Sequence, residues 1–282
     1  MSSRPHVYNP IVLTSKTIFL QRVQELVGAG YRYYAGGTLE LDRAPSLVRK
    51  FASTYLVHVD KNERYRRKAA GLGNARVMLR LTEEQTVDFL LLVTPGEHPA
   101  HQLEKLKDAT LRPLRYREFE LAMLTLKGRQ KPGLTWRWQA ETVEAWRERL
   151  HLHTAHLDRK ALFNDWHSLY RVPGFGGIRR QVGELVAFWR HEWMKLQGAA
   201  PCPMSFPHNE GQYRPLPGVT KGEDGRYWTQ KGFPTSRQLP TLFYVRKQID
   251  VGEKLSVLVR TEAGRRIDQA TQRADAAGDE AR

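Results

Sequence analysis

No uninterrupted apolar run in the chain exceeds five residues, and one of that length is Phe89-Leu90-Leu91-Leu92-Val93. Its length decides what it can be. A helix that crosses a bilayer needs about 20 apolar residues, whereas five suit a strand buried in a sheet. Pro95-Gly96 terminates the run, and a second strand pattern at residues 75–81 precedes it. A sheet is therefore expected at the centre of the fold, and the rest of the chain is read around it.

Upstream, residues 6–16 read as a strand, and Ser15 stands where a helix cap would. Ile18, Phe19, Val23, Leu26 and Val27 then recur at helical spacing until Gly28 and Gly30. Tyr31-Arg32-Tyr33-Tyr34 reads as a strand closed by Gly36-Gly37. Pro45 opens a helix carrying Leu47, Val48, Phe51 and Tyr55. Residues 61–70 form a basic helical segment ended by Gly71-Leu72-Gly73-Asn74. After the strands at 75–81 and 87–94, a short polar helix is expected over 101–109. A strand pair follows at 116–126 and 134–138. Strands alternating with helices and mostly half-polar predict an α+β fold on a largely antiparallel sheet. A ferredoxin-like arrangement fits that alternation best.

The periodicity changes near residue 140, which sets the expected domain organisation. An α+β domain covers 1–139. A helical region covers 140–200, with helices at 141–162 and 177–197. A Pro/Gly-rich arm covers 201–262, with five prolines between Pro201 and Pro217. It ends in a hairpin of residues 242–248 and 255–260. Residues 263–282 are polar and Ala-rich and are expected to form a disordered tail.

Charge speaks to partners. Forty-five Lys and Arg stand against 30 Asp and Glu, a net +15. A polyanion is the natural partner of such a surface. Arginine, which makes forked contacts to phosphate and stacks on bases, outnumbers lysine 31 to 14. The lone Cys202 permits neither an internal disulfide nor a multi-cysteine zinc site. MSSRPHVYNP has no apolar signal core, so a cytoplasmic protein without a membrane anchor is expected.

Three places are candidates for contacting nucleic acid. The densest is Lys61-Asn62-Glu63-Arg64-Tyr65-Arg66-Arg67-Lys68, within residues 41–80 that hold ten Lys/Arg and three Asp/Glu. On a helix Arg64, Arg67 and Lys68 share a face, with Tyr65 and Arg66 beside them, to track phosphates while a ring stacks on a base. The second is the turn Pro173-Gly174-Phe175-Gly176-Gly177 running into a helix, where free amides and Arg171, Arg179 and Arg180 suit an anion. It lacks the Gly-Lys-Ser/Thr of a Walker loop and the G-x-G-x-x-G of a dinucleotide fold. The third is Arg32 and Tyr33 on the tyrosine strand. Packed tyrosines on an edge strand are the ordinary reading there, and a stacking platform is the functional one.

Catalytic signals are sparser. Asp88, Glu118 and Glu120 on strands would bind Mg²⁺ only if they met in space. His151-Leu152-His153 resembles the His-hydrophobic-His string of rolling-circle and relaxase nucleases, which implies a metal and a tyrosine nucleophile. Those enzymes carry the pair on a strand; the helical context here turns residues 151 and 153 about 200° apart. His191-Glu192-Trp193-Met194-Lys195 has Lys where a zincin needs its second His. The sequence thus predicts no metal and no cofactor. Its leading functional expectation is a basic, non-enzymatic nucleic-acid-binding protein. RNA or single-stranded DNA is favoured as the target, inside a larger nucleoprotein machine with other protein subunits. The alternative is a nuclease or replication initiator of a mobile element or defence system.

Overall fold

The computed structural model describes residues 8–125, 128, 130–170, 172–198, 207–208, 220–221, 227–228 and 252–263. The fold is mixed α+β with mostly antiparallel sheets. The chain divides into two compact units, Met1–Leu114 with Val245–Arg282, and Arg115–Tyr244. The strand pair at 116–126 and 134–138, which the sequence groups with an N-terminal domain, therefore lies in the second unit.

The first unit is built on β1 (Ile11–Leu13), α1 (Lys16–Gly28), β2 (Tyr33–Glu40), α2 (Ala44–Tyr55), α3 (Lys61–Ala69), β3 (Ala75–Leu81), β4 (Thr86–Val93), α4 (Ala100–Leu103) and β5 (Lys107–Asp108). Its sheet also takes in a strand from far along the chain, Gly252–Lys254, which runs antiparallel to β1. From that strand the order is β1, β3, β4, β2, β5. Only β1 and β3 run parallel among these neighbours. Two helices separate the second and third strands, so the element order is not the β-α-β-β-α-β of a ferredoxin-like fold.

The apolar run of β4 is explained by what covers it. Val87, Leu91 and Val93 join one core with Val77 and Leu79 of β3 and with Val48, Phe51 and Tyr55 of α2. Leu90 and Leu92 point to the other face and are buried as well. A strand covered on both faces has no use for a polar alternate residue. Each such side chain contributes roughly 1.5–3 kcal/mol on burial.

Four local expectations are corrected. Gly36 and Gly37 do not close β2; the strand runs through them, paired with Leu90 and Phe89. They are glycines because a Cβ at 36 would stand 2.8 Å from the Phe89 carbonyl, and one at 37 would stand 3.0 Å from the Phe89 ring. The polar helix at 101–109 is only α4, and Lys107 and Asp108 pair with Tyr34 and Tyr33 instead. Residues 255–260 are not a strand but belong to a helix over 255–263. Leu255, Leu258 and Val259 turn into the α2 core at helical spacing, leaving Val257 exposed. The helix expected at 141–162 is broken at Leu157, whose φ is +50°. Residues 242–248, Cys202, and 264–282 lie outside the described residues.

The second unit contains β6 (Leu114–Tyr116), which starts at the boundary, β7 (Phe119–Leu124) and β8 (Gly133–Trp138) in that order. Three helices follow: α5 (Ala140–Ala155), α6 (Arg159–Tyr170) and α7 (Gly176–Gln197). Asp158 restarts the chain as α6, its carboxylate accepting from the Ala161 N–H at 2.9 Å. Helix α7 docks on β8 through Gln181, whose side-chain amide accepts from Trp138 N (2.8 Å) and donates to Trp138 O (3.0 Å). Trp136, Trp138, Trp189 and Trp193 are buried in this unit. In the stretch expected to be an irregular arm, β9 (Pro207–His208), β10 (Thr220–Lys221) and β11 (Tyr227–Trp228) make a small antiparallel sheet. Among the described residues no helix is long and apolar enough to cross a membrane.

Candidate nucleic-acid interface

Helix α3 is defined at both ends by local chemistry. Asp60 is the N-cap, and its carboxylate accepts from the Glu63 N–H at 2.8 Å. That backbone bond holds the Asp60 carboxyl below its ordinary pKa, against the opposing pull of desolvation. At the other end Gly71, at φ +74°, donates to Lys68 O, and Leu72 donates to Arg67 O. This pair of bonds needs a left-handed residue, which glycine adopts without strain. Arg66, Arg67 and Lys68 occupy the last turn, where the helix dipole favours cations.

No residue of α3 is buried, so side-chain bonds hold it in place. Arg64 Nη1 donates to Val59 O. Arg67 reaches forward to Gly73 O through Nε (3.3 Å) and Nη2 (3.0 Å). Asn74 Nδ2 donates to Arg64 O at 3.1 Å. The five cations therefore divide their work. Arg64 and Arg67 fasten the helix to its flanking backbone, and Arg66 pairs with Glu63 at 2.8 Å. Lys61 and Lys68 are exposed and make no ion pair among the described residues. They flank Tyr65, which is 75% exposed.

This arrangement corrects the face expected from sequence. The outward stripe is Lys61, Tyr65 and Lys68 rather than Arg64, Arg67 and Lys68. At 100° per residue the three lie within about 60° of one another. Lys61 is the residue that sequence reasoning passed over, although the i, i+4, i+7 spacing makes it legible. Arg76 of β3, half-exposed, is a second addition. It and Arg64 are close enough to Tyr8 to oppose the rise that burial imposes on its hydroxyl pKa.

The other candidates are occupied otherwise. Arg32 Nη2 donates to the Tyr33 hydroxyl at 2.9 Å, and its guanidinium lies 5.0 Å from that ring and 3.6 Å from Asp108. Tyr33 packs edge-on against His101 at 4.8 Å and against the α2 core, so the packed-tyrosine reading describes it. Arg179 Nε donates to Gly174 O at 2.9 Å, and Arg180 pairs with Glu184. Gly177 serves close packing, since a Cβ there would meet Trp136 O at 2.5 Å, and its N–H is taken by Thr135 Oγ1. Arg171 lies outside the described residues.

Two of the three carboxylates raised as metal ligands, Asp88 and Glu120, sit in ion pairs. Asp88 lies opposite Arg80 on β3 and Thr38 on β2, at 3.6 and 2.7 Å. Glu118 is in the turn before β7. Glu120 is buried and held by Arg137 at 2.7 Å and Arg115 at 3.6 Å. On α5, His151 bonds Glu192 and His153 bonds Asp165, so the two histidines serve different partners. No family model matches the chain, and no curated protein or solved structure matches it either.

Proposed function

We propose that the chain binds nucleic acid through α3 of its first unit, as a cytoplasmic, non-enzymatic component of a larger nucleoprotein assembly. The observation that carries this reading is the outward Lys61–Tyr65–Lys68 stripe. Two ammonium groups flank an aromatic ring that is 75% exposed and makes no hydrogen bond or ring contact among the described residues, on a helix held by bonds from its other side chains. Phosphates would meet the lysines, and the ring offers a π-face to any base without selecting its sequence. A duplex hides base faces in its stack, so the ring favours single-stranded RNA or DNA. The +15 net charge supplies long-range attraction.

The test is fluorescence anisotropy with single- and double-stranded DNA and RNA across a salt series, with and without Mg²⁺. Tighter binding of single strands is expected, with log affinity falling linearly in log salt and the nucleic acid left uncut. A salt-independent affinity for all four probes would remove the proposal, and Mg²⁺-dependent cleavage would replace it with an enzymatic one.

A further inference from the structure

A cleft of about 960 Å³ opens in the first unit between the lead into β1, helix α2 and the helix at 255–263. Val48 and Ala52 of α2, with Leu255 and Val259, give it an apolar floor. At one end stand two rings, Tyr8 and His58, 6.1 Å apart and tilted by 48°. Asn9 and Ser256 satisfy each other across the wall, Nδ2 to Oγ at 2.8 Å and the Ser256 N–H to Oδ1 at 3.1 Å, so that edge is already set. Arg49 lies exposed on the rim, with no ion pair among the described residues.

The cleft and α3 adjoin. His58 stands two residues before Asp60, the cap of α3, and Arg64 bonds the carbonyl of the intervening Val59. The aromatic end of the cleft is thus beside the first turn of the basic helix. An occupant must be flat enough to lie against two rings, apolar on its faces and linked to an anionic chain that reaches α3. We infer that the cleft receives an unpaired nucleobase of a single strand whose phosphates lie along Lys61 and Lys68. The base stacks against Tyr8 and His58, and Arg49 meets an adjacent phosphate. A space of this size takes a whole nucleoside. This inference rests on the proposed nucleic-acid reading and adds to it where the base goes.

The experiment compares two probes of equal charge on the full chain: a single-stranded oligonucleotide and the same phosphodiester backbone with abasic sites throughout. The natural protein is expected to hold the base-bearing probe about tenfold more tightly, the size of a stacking contribution. In His58→Ala, an exposed position, and in Ala52→Phe, which fills the floor, that preference should shrink several-fold while the salt slope stays. His58→Ala carries the test if Ala52→Phe does not fold. A preference that survives intact in the folded variants overturns the cleft assignment and leaves the α3 reading standing. Equal binding of both probes by the natural protein overturns the cleft assignment and base stacking on Tyr65 alike, leaving only the phosphate contacts of Lys61 and Lys68. Failure of both probes to bind with a salt slope removes both. A dimer that His58→Ala dissociates would give the cleft to a second copy of the chain and overturn the inference.

Discussion

The division of labour among the cations of α3 predicts that two sets of alanine substitutions have opposite consequences. Arg64→Ala with Arg67→Ala removes the bonds to Val59 O and Gly73 O. A hydrogen bond from a charged group contributes about 1.5–3 kcal/mol when buried. Both arginines are half-exposed, so solvent screening brings each to about 1 kcal/mol. The double variant should lose about 2 kcal/mol. For a domain of this size that lowers Tm by roughly 4–8 °C. Lys61→Ala, Tyr65→Ala and Lys68→Ala together touch only the exposed stripe, where each change should stay within about 0.5 kcal/mol. That triple variant should keep its Tm. It should lose about tenfold or more in affinity for a single strand, and the log–log salt slope should fall by about 1.4 for two lost phosphate contacts. Because every tryptophan lies in the second unit, urea unfolding followed by far-ultraviolet circular dichroism reads the first quantity, and anisotropy at three salt concentrations reads the second. The reasoning is refuted if the arginine double is as stable as the natural chain. It is equally refuted if the stripe triple is stable but binds with unchanged affinity and slope.

Three further outcomes are expected. Burial lowers the pKa of His98, with the Arg67 and His101 charges adding to the drop and the bond to Tyr55 O opposing it. The unfolded chain protonates His98 at about 6.5, so its contribution is complete above that pH and is lost as pH falls toward the lower folded value. Urea midpoints between pH 7.5 and 5.5 should therefore fall, and less steeply in His98→Gln; equal slopes would discard the assignment. Arg80→Met, which strips the cation from buried Asp88, should cost about 3 kcal/mol, and adding Asp88→Asn should restore part of it; a denaturation midpoint unchanged by Arg80→Met would speak against the pair. Gly177→Ala should destabilise by about 1–3 kcal/mol because its Cβ would sit 2.5 Å from Trp136 O, and a calorimetric Tm that rises instead would show that the helix shifts freely.

Much of the scaffold is written locally. Ser15 and Asp60 are caps because their side chains accept from backbone N–H groups three residues on, within their own turn. Pro45 starts α2, and Gly71 ends α3 because only a left-handed residue completes the bonds from Gly71 and Leu72. The apolar runs of β3 and β4 announce a buried sheet, and the excess of arginine and lysine announces the class of partner proposed. Each of these depends on neighbours within a few residues, or on totals, so no fold is needed to read it.

Tertiary structure decided the rest, wherever two local options differ little in energy and a distant partner chooses. Leu255, Val257 and Val259 alternate like a strand, yet the α2 core selects Leu255, Leu258 and Val259 and makes a helix. Gly36-Gly37 looks like a stop, yet Phe89 and Leu90 need the space inside a continuous strand. Asp88 and Glu120 look like metal ligands until register and packing set arginines beside them. On α3 the sequence counts five cations without saying which face water. That was settled by where the carbonyls of Val59 and Gly73 came to lie, because a guanidinium that finds a fixed acceptor turns inward and leaves the lysines and Tyr65 outside.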